Sequence, residues 1–217
     1  AKHPKNAEQY RQFQQIPDEK THQTDRFRLC QASCRRLYRR QSHLAASQKT
    51  HPLKNSKYRP ENLQLATVDS RPDKPEEERS VRADIMSDVE QLFASAKAAG
   101  HDLQVGSGFR GYELQNTYYS SYVNAYGQAA ADKFSSKPGY SEHQTGLVMD
   151  IAAADHNCYL ETCFGETAAG KWLAKHAHEY GFILRYPKGK ERITGYQYEP
   201  WHFRYVGREL AAALKQA

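Results

Sequence analysis

The sequence predicts an α+β fold, a small antiparallel sheet with flanking helices, preceded by a helical or extended N-terminal segment. Three observations lead there: helical spacing dominates the middle of the chain, strand-like runs dominate its end, and the links between them are short. With 217 residues, 39% of them hydrophobic, the chain can bury one good core.

Residues 1–50 stand apart as a basic segment rich in Gln, Arg and Lys, leaving 51–217 as the main domain. Within the segment, Phe27, Cys30, Cys34 and Leu37 recur at three- and four-residue steps, which predicts a helix over 25–48. Pro52, Pro60, Pro72 and Pro75 punctuate 49–80, where little hydrophobic period exists, so an extended connection is expected. Ile85, Val89, Leu92, Phe93 and Ala96 predict a helix over 81–99, stopped by Gly100. Residues 102–109 (DLQVGSGF) read as a strand, and 112–132 as a second helix. After the turn signal Lys137-Pro138-Gly139 comes a buried strand in GLVMDIA (146–152). A third helix spans 166–180 and ends at Gly181. FILRY (182–186) and YEPWHFRYV (198–206) are strand-like, and 207–216 is a closing helix.

Net charge is +6 but unevenly spread. Residues 1–60 carry 14 Lys+Arg against 4 Asp+Glu, whereas 61–217 carry 17 against 21. A basic first quarter on an acidic remainder reads either as an arm for a polyanion or membrane surface, or as a solvated helical face. Nucleic acid is not expected, because the segment has no stacking-aromatic motif. No run approaches the roughly 18 apolar residues of a membrane span.

The four cysteines form two local pairs, Cys30/Cys34 and Cys158/Cys163. They suit two short-loop disulfides in an oxidising compartment, the second pair more than the first. A four-thiolate zinc site is the rival reading, but neither spacing is the C-x2-C of common zinc ribbons. Two free pairs are the third.

Three segments place polar groups where chemistry would use them. In SEHQTGLVMDI, His143 follows a turn and Asp150 interrupts an apolar run. A carboxylate among Leu147, Val148, Met149 and Ile151 is costly to bury unless paired or bound to metal, although taken alone an Asp that caps a turn at the strand end is the commoner case. In YEPWHFRYV, Glu199 and His202 are three apart, and a regular strand would send them to opposite faces. They meet only if the backbone bends near Pro200. In GSGFRG, glycines bracket Arg110, whose planar fork suits a substrate carboxylate or a developing oxyanion. His176 and His178 read as surface or structural residues, and His156 as a loop residue.

Taken together, GSGFRGYELQ, GYSEHQTGLVMDI and the stretch from Gly170 to Gly207 resemble the VanY-type D,D-/L,D-carboxypeptidases, zinc peptidases of bacterial cell-wall peptidoglycan. The resemblance runs from about His51 to Leu214 and leaves out residues 1–50. It implies a small α+β domain with a zinc (Zn2+) cleft, acting on peptidoglycan stem peptides outside the cytoplasm, in the periplasm or wall. The family's SxHxxGxxxD motif falls on Ser141, His143, Gly146 and Asp150, implying His143 and Asp150 as metal ligands. Its ExxH motif falls on Glu199 and His202, implying the catalytic base and the third ligand. Its SGxR arginine falls on Arg110, implying contact with substrate oxygens. This chain has Gly111 where the family often has Ser. Gln115 and Ser141 are candidates for the substrate's terminal carboxylate, and Trp201 and Tyr196 for further substrate contacts. Arg110 is implied for both clamp and oxyanion roles, between which the sequence does not choose. A non-catalytic wall-binding module and a wall endopeptidase are the alternatives on the same scaffold.

Overall fold

The computed structural model describes residues 52–216. The basic segment, its expected helix over 25–48 and the Cys30/Cys34 pair lie outside them. The described chain is a mixed helix and sheet fold. A four-stranded antiparallel sheet is built from β3 (Leu103–Ser107), β4 (Val148–Ala153), β6 (Glu199–Tyr205) and β5 (Phe182–Tyr186), in that spatial order. Ahead of it, β1 (Leu63–Leu65) and β2 (Ser80–Arg82) pair as a separate antiparallel ribbon. The longer helices are α1 (Met86–Ala98), α2 (Tyr112–Tyr126), α3 (Ala168–His176) and α4 (Arg208–Gln216).

The strands divide their side chains between two faces, as period-two alternation requires. Leu103, Val105, Met149, Ile151, Phe182 and Phe203 join the core with Val89, Leu92, Phe93 and Ala96 of α1 and Leu173 of α3. The opposite face carries Asp150, His202 and Arg204, all buried. One face of the sheet therefore builds the hydrophobic layer while the other is reserved for polar groups.

Four expected boundaries need correction. The helix expected over 81–99 starts only at Met86; Val81 is a fully buried strand residue in β2, paired with Gln64. Its apolar period thus carries past the true helix start. The 49–80 connection is not wholly extended, since it contains β1 and a 3-10 turn at Glu76–Arg79. The helix expected over 112–132 stops at Tyr126, because Gly127 takes φ +78°, and only a single turn, Gln128–Ala131, follows. The helix expected over 166–180 is α-helical only from Ala168 to His176, flanked by 3-10 turns, and ends at Gly181 as expected. Cys158 and Cys163 are joined in a disulfide.

Two irregularities of pairing shape the polar face. Between Val105 and Ser107 the β3–β4 register slips by one, so that Ser107 lies opposite Asp150. Between Leu184 and Tyr186 the β5–β6 register slips as well, bringing Tyr186 opposite Glu199 while Leu184 stays opposite Phe203. The two extra residues fall on β6, within the stretch Pro200–His202.

Phe203 is fully buried between the sheet and the helices. Phe203→Ala should destabilise the domain by about 3–5 kcal/mol, measured as a lower midpoint of urea unfolding.

Candidate metal centre

His143, Asp150 and His202 come from three chain segments. His143 sits on the 3-10 turn Glu142–Thr145 just before β4, and Asp150 and His202 are direct cross-strand partners of β4 and β6. Asp150 is thus a mid-strand residue and not a strand-end cap. One potential ligand atom from each of the three lies within 4.8 Å of the others, and all three residues are buried. His143 Nε2 is 3.3 Å from Asp150 Oδ2, and His202 Nδ1 is 3.2 Å from Asp150 Oδ1. The imidazoles stand nearly perpendicular, with centroids 5.1 Å apart.

Different nitrogens of the two rings turn inward. His143 Nδ1 is 2.7 Å from the Gly108 carbonyl oxygen, so that ring is anchored by Nδ1 and presents Nε2. The anchor depends on glycine: a Cβ at Gly108 would collide with the Ser80 carbonyl, to which Phe109 N donates across the same gap. In His202 the Nδ1 edge faces Asp150, and Nε2 turns outward toward Glu142.

Glu199 reaches the same point. Its Oε2 is 3.6 Å from His202 Nδ1, although three residues separate them on one strand. The register slip of β6 against β5 is the bend near Pro200 that a regular strand lacks. Glu199 is buried too.

Arg110 closes a fourth side, with Nη2 3.7 Å from Asp150 Oδ2. Its other contacts fix its orientation: Nη1 donates to Gln115 Oε1 at 3.0 Å and Nη2 to Ser107 Oγ at 2.9 Å. Buried Glu78 lies beneath, 3.7 Å from Arg110 Nε, accepting from Ser107 Oγ and from the Tyr118 hydroxyl. Gln115 also donates to the Ser136 carbonyl at 2.7 Å, so both ends of its amide are engaged.

These residues open on a cleft of about 290 Å³, whose lining includes Arg110, Gln115, Ser141, Tyr196, Glu199 and Trp201. All nine residues singled out in the sequence therefore meet at one cleft. His156, His176 and His178 do not line it. Sequence reasoning missed Glu142, Glu78, Tyr186 and Leu160. Tyr186 lies against the His202 ring at 4.7 Å, and Leu160 arrives on the loop closed by the Cys158–Cys163 bridge. Glu142 alone carried a signal, since it stands inside the SEHQTG motif.

The buried groups of the centre shift one another's protonation. Burial pushes the Glu199 carboxyl up to about 7. Burial opposes ionisation of Asp150, yet the two histidines hold its carboxyl well below the usual range. Burial likewise opposes a charge on His202, but Asp150, Glu142 and Glu199 push it up to about 9. Burial drives His143 down instead.

A zinc ion fits this donor set. Two imidazole nitrogens and one carboxylate oxygen are the three-ligand arrangement of catalytic zinc, which leaves a further position open. Asp150 Oδ1 is buried without a hydrogen bond, the condition a bound cation would relieve. A cation held by His202 Nδ1 must displace the proton that His202 retains up to about pH 9. Zinc affinity should therefore rise with pH from about 6 to about 8, roughly tenfold per unit for one displaced proton. Calorimetric titration in buffers of differing ionisation enthalpy measures that proton release.

Comparison with known proteins adds to this geometry. Residues 78–208 match the family model of VanY, described as D-alanyl-D-alanine carboxypeptidase. YodJ of Bacillus subtilis is 40% identical over 158 residues, covering 73% of this chain and 58% of that protein. The chain thus matches little more than half the length of that relative. Among solved structures, the LdcB LD-carboxypeptidase is similar with a TM-score of 0.73 and 38% identity, over 78% of each chain. A D,D-pentapeptidase VanY from a VanB-type vancomycin resistance cassette, in complex with Zn(II), is similar with a TM-score of 0.62 and 30% identity, over 81% of this chain and 94% of that one.

Proposed function

The chain belongs to the VanY D-alanyl-D-alanine carboxypeptidase family, and on that premise we propose that it is a zinc carboxypeptidase removing the terminal D-alanine of peptidoglycan stem peptides. The observation that carries the reading is the convergence of His143, Asp150 and His202 at one buried point of a cleft, with Glu199 beside it.

In this reading His143 Nε2, one Asp150 oxygen and His202 Nδ1 hold the zinc. When bound, zinc supplies Lewis acidity and lowers the pKa of water toward about 7. Glu199 takes the proton of the attacking water and delivers it to the departing amine of D-alanine, so the amide C–N bond breaks and the stem peptide keeps a new carboxylate. Burial suits Glu199 to both halves of the task, since a carboxyl near 7 gives and takes protons at neutral pH.

The surroundings of each polar group support a division of their work. Arg110 borders Asp150 and is held by Ser107 and Gln115, which favours stabilising the oxyanion that forms at the scissile carbonyl. Gln115 acts through Arg110, because its own amide is already engaged at both ends. The substrate's terminal carboxylate then falls to Ser141 with the Ser136–Tyr196 hydroxyl pair, whose oxygens are 2.7 Å apart in the same cleft. Trp201, on β6 between Glu199 and His202, offers an apolar wall to the peptide.

A wall-peptide substrate and the Cys158–Cys163 bridge, which suits an oxidising compartment, both support an activity outside the cytoplasm. Among the described residues no helix is long and apolar enough to cross a membrane. The basic segment is assigned to an anionic wall polymer or membrane surface on its charge alone. Deleting residues 1–48 should then weaken salt-dependent retention on wall material.

Zinc-loaded protein should release D-alanine from a tetrapeptide or pentapeptide stem, and side-by-side digestion shows which terminal bond is cut. Glu199→Gln should retain zinc yet lose roughly 10²–10⁴-fold in kcat. Release from neither stem, or full turnover by the variant, would contradict the proposal.

A further inference from the structure

Glu142 precedes His143 in the chain, yet its carboxylate faces the other histidine, His202. It is 2% exposed, and its two oxygens have different neighbours. Oε1 accepts from Arg185 Nε at 3.0 Å and lies 3.5 Å from Arg204 Nη1. Oε2 lies 3.7 Å from His202 Nε2. Arg185 comes from β5 and Arg204 from β6, so the guanidiniums are fixed by the strands that frame His202. A buried carboxylate is costly alone; two arginines offset that cost and hold one oxygen in place.

His202 can offer a lone pair at Nδ1 only if, as a neutral imidazole, it carries its proton on Nε2. The group facing Nε2 must then be an acceptor and not a donor. An ionised carboxylate is acceptor-only, whereas the nearby guanidiniums are donor-only and would select the wrong tautomer. We propose that Glu142, tethered by Arg185 and Arg204, is a positioning residue that keeps the proton of His202 on Nε2 and so presents Nδ1 to the metal. The inference rests on the assignment of His202 as a zinc ligand made above. His143 needs no such partner, because the Gly108 carbonyl already fixes its ring.

Glu142→Gln is the discriminating variant, because it preserves shape while exchanging one acceptor for a donor. The two guanidiniums would hold the Gln oxygen, leaving its NH2 against His202 Nε2 and shifting the ring proton to Nδ1. Zinc affinity, measured by chelator competition on the full chain, should weaken about 10–100-fold. Glu142→Asp keeps an acceptor and should fall between wild type and Glu142→Gln. In zinc-loaded wild type labelled with 15N-histidine, His202 should show an exchange-protected Nε2–H resonance. That resonance is read on wild type alone, so the test survives a variant that fails to fold. A Glu142→Gln affinity within about twofold of wild type, or no Nε2–H on His202, would overturn the inference. Zinc bound as expected with no D-alanine released from any stem would instead overturn the substrate reading and leave the role of Glu142 standing.

Discussion

The centre depends on one cross-strand pair. Asp150 and His202 face each other in the middle of the sheet, where β4 and β6 are both inner strands. Pairing register sets this contact, and a one-residue slip of either strand would send its own polar side chain to the hydrophobic face. Met149, Ile151 and Phe203 resist such a slip, because it would carry them out of the core. Burial of apolar side chains on one face thereby holds two polar groups together on the other.

The remaining parts are fitted to that pair by departures from regular pairing. The slip in β3 at Gly106 sets Ser107 opposite Asp150, next to the arginine it helps to hold. The slip in β6 near Pro200 folds Glu199 back toward His202. His143 comes from a turn, and the carbonyl of a glycine that lies tightly against Ser80 fixes its ring. Around them stand buried acid–arginine groups, Glu78 with Arg110 and Glu142 with Arg185 and Arg204. Each pairing offsets part of the cost of burying its charges, and the pairs orient groups that touch the cleft.

Much of this was legible in the sequence. The strands of the main sheet stood out because their apolar runs are short and bounded by turn residues, and Asp150 stood out as a carboxylate with apolar neighbours on both sides. The first ribbon was hidden: Leu63–Leu65 is too short to show a period, and Val81 continues the helical spacing of α1. The meeting of Glu199 with His202 could not be read locally, because it depends on how β5 pairs with β6. Glu142 and Glu78 escaped notice for a related reason. A lone acidic residue in sequence looks like surface, and only the tertiary fold reveals the arginines that make its burial tolerable.

Anomalous diffraction at the zinc edge from crystals of the zinc-loaded protein tests the account most directly. It predicts one strong peak about 2.0–2.2 Å from His143 Nε2, from an Asp150 oxygen and from His202 Nδ1. A peak reached through His202 Nε2, or one lying away from the β4–β6 pair, would contradict it.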